Sequence, residues 1–234
     1  MDAPIPTDVP PSTRPAAQAP AKRAPRRSQE DRSRDAKDRL LSATIDVLMR
    51  RGYNGLTTKE VASTAGLSNG ALVHHYANKA ELVMAATAAV YDECIERGQR
   101  VARTAEAVKK PLEGFITDSL SVYFDWPFLA ALEVIVVART DDELMNRIKP
   151  IMKHYRETTN ALWLDVFKKA GYTPKQALTI LNLTLNMTRG MGVNRMWQHD
   201  DEYYQTLLKE WVKIINDQFP RKAPGKKTTR SKTA

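Results

Sequence analysis

Residues Thr57 to Lys79, TTKEVASTAGLSNGALVHHYANK, constrain the fold more than any other stretch. Thr57 followed by Glu60 is a capping box: the threonine oxygen accepts from an orphan amide, and the glutamate reaches back to the cap's N–H. Val61, Ala62 and Ala65 supply one apolar face. Gly66 stops the helix, because glycine enters the left-handed region without penalty. Ser68 opens a second helix, in which Leu72 and Tyr76 are four apart and turn inward together. Asn69, Gly70, Val73 and His74 remain outward. Two short helices folded on each other, with an inward face fixed and a polar outer face free, suit insertion into a DNA major groove.

The pattern T-T-x-x-V-A-x-x-A-G-L-S-x-G-x-L, then Tyr76, then N-K-x-x-L over Asn78 to Leu82, is similar to the helix-turn-helix of TetR/AcrR-family transcriptional regulators. The motif spans about a tenth of the chain, and flanking helical patterns extend the likeness over most of residues 34–219. One position departs: the family usually has tyrosine directly after the recognition-helix leucine, and Val73 stands there instead. A phosphate-reaching hydroxyl is replaced by a side chain suited to a thymine methyl.

The +9 net charge is unevenly spread: +2 over residues 1–33, +3 over 34–79, −2 over 80–219 and +6 over 220–234. Positive charge thus falls on the motif-bearing segment and on both ends, as expected of a protein that meets phosphate with one part only. Seven of the thirteen prolines lie in residues 1–33, which have few large apolar side chains, so this segment is expected to be a disordered tail. Its Arg14, Lys22, Arg23, Arg26, Arg27 and Arg32 suit an electrostatic arm or a solubilising leader equally well. Residues 220–234 read the same way.

Elsewhere the apolar spacing is helical and no strand alternation appears. A first helix is expected from about Arg34 to Arg51, ended by Gly52, so that residues 34–79 form a three-helix DNA-binding domain. Asn78 caps a fourth helix to about Arg103, read as the connection to a second domain over residues 80–219. Within that domain helices are expected from Pro111 to about Asp125, Phe128 to Thr140, and Asp141 to Ala170 with Pro150 as kink or boundary. Two more follow, Thr173-Pro174 to about Gln198 and Asp200 or Asp201 to Phe219. The fold class is all-α: an N-terminal helix-turn-helix domain plus a C-terminal helical ligand-binding and dimerisation domain.

For DNA, Thr57, Thr58, Tyr76 and Lys79 are candidates to hold phosphates, beside backbone amides at the helix started by Ser68. Lys59, Asn69 and His74 are candidates for base edges, with Gly70 and Ala71 permitting close approach. The resemblance adds Val73 and His75 as positions that commonly touch DNA. The plain alternative for each is a solvated surface residue. A single such unit covers only roughly 600–1,000 Å², so a homodimer on a double-stranded palindromic operator is expected.

The resemblance assigns dimerisation to the last two long helices, where Leu178, Leu181, Leu185, Leu207, Leu208, Trp211, Ile214 and Ile215 give more apolar surface than an outer pair needs. It also implies a pocket for a small-molecule effector. Candidate liners are Tyr123, Trp126, Phe128, Val136, Trp163, Phe167 and Met187, although aromatics at helical spacing commonly form core. Asn182, Asn186 and Arg189 fall at i, i+4 and i+7 on an apolar helix and need partners, from a ligand or a symmetry mate. Arg139 is a second possible anion anchor.

No catalytic constellation appears. His74, His75, His154 and His199 match no zinc spacing, and there is no Gly-x-Ser-x-Gly elbow or Walker loop. A single cysteine, Cys94, allows no internal disulfide and reads as a small packed side chain. Neither enzyme activity nor a cofactor is expected. No run of 18 apolar residues and no leader pattern is present, so no membrane partner and a cytoplasmic location are expected. The rival reading is a basic architectural protein that coats DNA through its tails without sequence preference.

Overall fold

The computed structural model describes residues 28–221. Ten helices follow in order: α1 Gln29–Gly55, α2 Thr58–Thr64, α3 Asn69–His75, α4 Lys79–Ala102, α5 Ala105–Lys109, α6 Pro111–Tyr123, α7 Trp126–Ala138, α8 Asp142–Lys169, α9 Pro174–Asn194 and α10 Asp201–Gln218. No strand occurs among the described residues. Every helix except α6 opens on a Ser, Thr, Asn or Asp side chain that accepts from a first-turn amide. The chain is cut into helices mainly by these caps, and α6 begins on Pro111, which suits a first-turn position.

The caps also explain where the boundaries differ from expectation. α1 opens five residues before Arg34, because Ser28 and Asp31 form a reciprocal box with bonds of 3.0 and 3.2 Å. Arg32 is therefore helical rather than part of a tail. Asp125 caps α7 and starts it at Trp126 instead of Phe128. The short α5, capped by Thr104, is a helix that the apolar spacing does not show. Pro150 lies inside α8 without dividing it. At the other end Arg221 is held by the Tyr172 hydroxyl and the Lys109 carbonyl. The tail cations Arg14, Lys22, Arg23, Arg26 and Arg27 lie outside the described residues, as does the rest of the basic C-terminal segment.

Two apolar cores result. One joins Leu40, Val47 and Leu48 of α1 to Val61, Leu72 and Leu82, and extends to Val134 of α7 and Leu144 and Ile148 of α8. The other is built on Trp163, Phe115, Phe167, Tyr91 and Tyr204. The core beneath the helix-turn-helix thus borrows α7 and the start of α8. At about 25 cal/mol per Å² of buried apolar area, shared core of this kind ties the two parts far more firmly than a single connecting helix would. Contact between the parts therefore runs through α7 as well as α4.

Candidate nucleic-acid interface and effector cavity

The α2–turn–α3 unit is assembled as the residues dictate. Thr57 accepts from the Glu60 amide at 3.2 Å, and Ser68 from the Ala71 amide at 3.1 Å. The Thr57 box is only half made: the Glu60 carboxylate pairs with Arg50 and Arg51 instead. Gly66 takes φ +65°, and the Arg39 guanidinium donates to the carbonyls of Ala65 and Gly66. The turn is thereby fastened to α1. Leu72 is fully buried, so α3 cannot roll without opening the core.

Ser68, Asn69, Gly70, Val73 and His74 form the exposed face of α3, with Val73 54% open. Thr57 and Lys59 are exposed beside it, and Thr58, Ala71 and His75 are half-exposed. Partial burial, His74 and Lys37 together hold the His75 imidazole below its usual range. Two expected phosphate contacts are engaged internally. The Tyr76 ring is buried in the core below α3. The Lys79 ammonium donates to the Tyr53 carbonyl at 2.9 Å and lies 4.5 Å over the Tyr53 ring, which ties the start of α4 to the end of α1.

Of the expected effector residues, Tyr123 meets both Phe128 and Arg189, and the rest do not gather around a common cavity. Trp163 and Phe167 are fully buried core, and Trp163 donates to the Asp118 carboxylate at 2.7 Å. Phe128 packs edge-on against Tyr123, also in the core. Inward-facing aromatics at helical spacing are spent on packing. The polar stripe of α9 is satisfied within the chain: Asn182 accepts from Arg156, the Asn186 amide donates to the Asn182 carbonyl, and Arg189 donates to the Tyr123 hydroxyl at 3.2 Å. Met187 packs against the larger core, and Arg139 is exposed at the end of α7.

A cavity of about 680 Å³ lies elsewhere, between α1, α7 and the end of α9. Tyr123 and Val136 are the expected residues that reach it. Leu129, Leu132, Glu133 and Val136 line it from one face of α7, at i, i+3, i+4 and i+7, opposite Leu48, Met49 and Gly52 of α1. The sequence did carry a signal for it: Glu133 is the only ionisable residue in the thirteen of α7. Trp126 belongs to a second cavity, of about 550 Å³, bounded by α1 and α4.

The expected dimer face divides. Leu181, Leu185, Leu208 and Ile215 are buried within the protomer. Trp211 is half-buried and donates to the Thr184 hydroxyl at 3.0 Å. Leu178, Leu207 and Ile214 stay exposed, joined by Leu183 and Tyr203. Tyr203, Leu207, Trp211 and Ile214 recur at three- and four-residue spacing, so α10 has a buried face and an apolar outer one. Cys94 is buried, and burial pushes its thiol up to about 11.

A capped second helix with an exposed face, on an all-α scaffold, has the geometry of a helix-turn-helix unit. Residues 40–86 match the family model of bacterial regulatory proteins, tetR family. The chain is similar to the HTH-type transcriptional regulator CymR of Pseudomonas putida, with 28% identity over 187 residues, 80% of this chain and 92% of that protein. In fold it is similar to a transcriptional regulator from a Rhodococcus species, with TM-score 0.63, 22% identity, and coverage of 80% of this chain and 99% of that one. It is similar also to FadR of Bacillus subtilis, solved in complex with stearoyl-CoA, with TM-score 0.55, 16% identity, and coverage of 76% and 96%. Residues 40–86 thus carry the DNA-binding module of the tetR family, and the rest of the chain is similar in fold to transcriptional regulators.

Proposed function

We propose that the protein is a ligand-responsive repressor that binds a palindromic operator as a homodimer and leaves it when a small amphipathic or aromatic molecule binds the helical domain. The observation that carries this reading is the division of α3 into a buried Leu72 and an exposed Asn69–Gly70–Val73–His74 face. An asparagine side chain can bridge N6 and N7 of adenine, and the glycine beside it leaves room for the groove wall. Apolar residues on the outside of α9 and α10 supply a surface for a two-fold partner, which sets the separation of two recognition helices. That the fold relative FadR holds an acyl-CoA supports a small-molecule effector in the helical domain. As a regulator that must reach the chromosome, the protein is assigned to the bacterial cytoplasm.

Release follows from linkage. A ligand that prefers a conformation with the wrong spacing between recognition helices weakens DNA binding by that preference, and about 1–3 kcal/mol of coupling gives roughly 5–150-fold. Both α4 and α7 can transmit it, since both pack against α1. The test is a melting-shift screen of metabolites against the full chain, followed by gel shifts on its selected operator. A hit that raises the melting temperature and lowers operator affinity supports the reading. A stabilising ligand that leaves operator affinity unchanged contradicts it.

A further inference from the structure

We infer that the cavity between α1 and α7 is a binding site for an organic cation, an amphipathic ammonium compound, and that its occupant acts directly on the bend of α1. The inference deepens the proposed function and rests on its effector-responsive reading. At about 680 Å³ the cavity has the size of a small-molecule site. Its walls are mostly apolar, from Leu48 and Met49 of α1 and from Leu129, Leu132 and Val136 of α7.

The charges decide what class of molecule fits. Asp125 and Glu133 line the cavity, and neither pairs with a cation among the described residues. Arg195 lines it too, but its guanidinium is committed to Asp201 and lies 4.7 Å over the Phe124 ring. With Arg195 neutralised by Asp201, the two carboxylates set the charge of the lining; Asp125 also accepts from the Trp126 amide as the cap of α7, and His199 lines the same cavity. An anion entering here would meet both, whereas an ammonium would be drawn by both.

The position links occupancy to the DNA-binding part. Gly52 sits at the bend of α1 with φ +66°, and a Cβ built there would stand 3.1 Å from a Glu133 carboxylate oxygen. Only Tyr53 to Leu56 and the Thr57 cap separate this bend from α2. A cation that draws Glu133 off Gly52, or wedges between them, repositions the start of the helix-turn-helix.

The experiment is calorimetric titration of the full-length protein, without DNA, with benzyltriethylammonium and with 4-phenylbutanoate. The cation should bind and the anion should bind about fivefold more weakly, the upper size for one ion pair open to solvent. Glu133→Gln, which keeps the side-chain shape, should weaken the cation about fivefold with an unchanged melting temperature. Val136→Trp fills the cavity from an exposed wall position and should remove cation binding. No binding of the cation, preferred binding of the anion, or indifference to both substitutions overturns the inference. Because binding is read without DNA, failure to find any operator would sink the regulator reading alone, and failure of the titration would sink this one alone.

Discussion

Asp118→Asn tests the buried polar centre of the larger core. Asp118 is 5% exposed on α6 and accepts from the Trp163 indole at 2.7 Å. Gly98 of α4 leaves it room: a Cβ there would stand 2.9 Å from a carboxylate oxygen. Burial raises its pKa from 3.8 to about 6, against the indole bond and Arg97, which lower it. That rise corresponds to about 3 kcal/mol. The native state therefore holds this proton more tightly than the unfolded chain. Below about pH 4 both states are protonated and the contribution vanishes. Stability falls as pH rises from about 4 to about 6, and the full cost persists above that. Asparagine keeps the acceptor for Trp163 and cannot ionise, while an unpartnered amide hydrogen subtracts about 1 kcal/mol. The variant should be about 2 kcal/mol more stable than the wild type at pH 8, or about 4–8 °C in Tm. Near pH 4 it should be about 1 kcal/mol less stable. Urea denaturation at fixed protein concentration, from pH 4 to 8, measures the difference, in which the other carboxylates cancel. Parallel pH profiles for the two proteins would refute the reasoning.

Three further outcomes are expected. Gly66→Ala should cost about 1–2 kcal/mol, because the position needs φ +65° and the new methyl meets Arg39 at 2.7 Å; thermal melting measures it, and an unchanged Tm would mean the turn relaxes freely. Gly192→Ala should be more damaging, at about 2–4 kcal/mol, since its Cβ would land on the Tyr123 carbonyl where α9 meets the end of α6; denaturant midpoints check it. Ile214→Glu should yield a folded monomer by light scattering with weakened operator binding, while an intact dimer would move the interface off α10.

What was legible in the sequence was local. Thr57, Ser68 and Asn78 each announce a helix start, and each side chain makes the expected bond. Gly66 announces a left-handed stop and takes one. The Ser28–Asp31 box was equally local, but it was masked by the polar composition around it. What could not be read was which of several inward-facing residues meet each other. Trp163 and Phe167 have the spacing of pocket liners, yet Trp163 meets Asp118 and Phe115, far away in the chain, and Phe167 meets Tyr172 just beyond the end of its own helix. Leu181 and Leu178 have the same chemistry, and only the packing of α9 on α6 and α8 buries the first and leaves the second outside. The cavity is not legible from spacing, because it is defined by α1 against α7, a pairing no sequence period reveals. Glu133 alone, a charge in an apolar helix, pointed to it.

The central claim is that α3 reads base edges. In-vitro selection from random duplexes, run in parallel for the wild type and Asn69→Ala, tests it most directly. The wild type should enrich an inverted repeat, with one position per half-site relaxed in the variant at a cost of about 1–3 kcal/mol. No enriched sequence, or the same sequence enriched equally by both proteins, would contradict it.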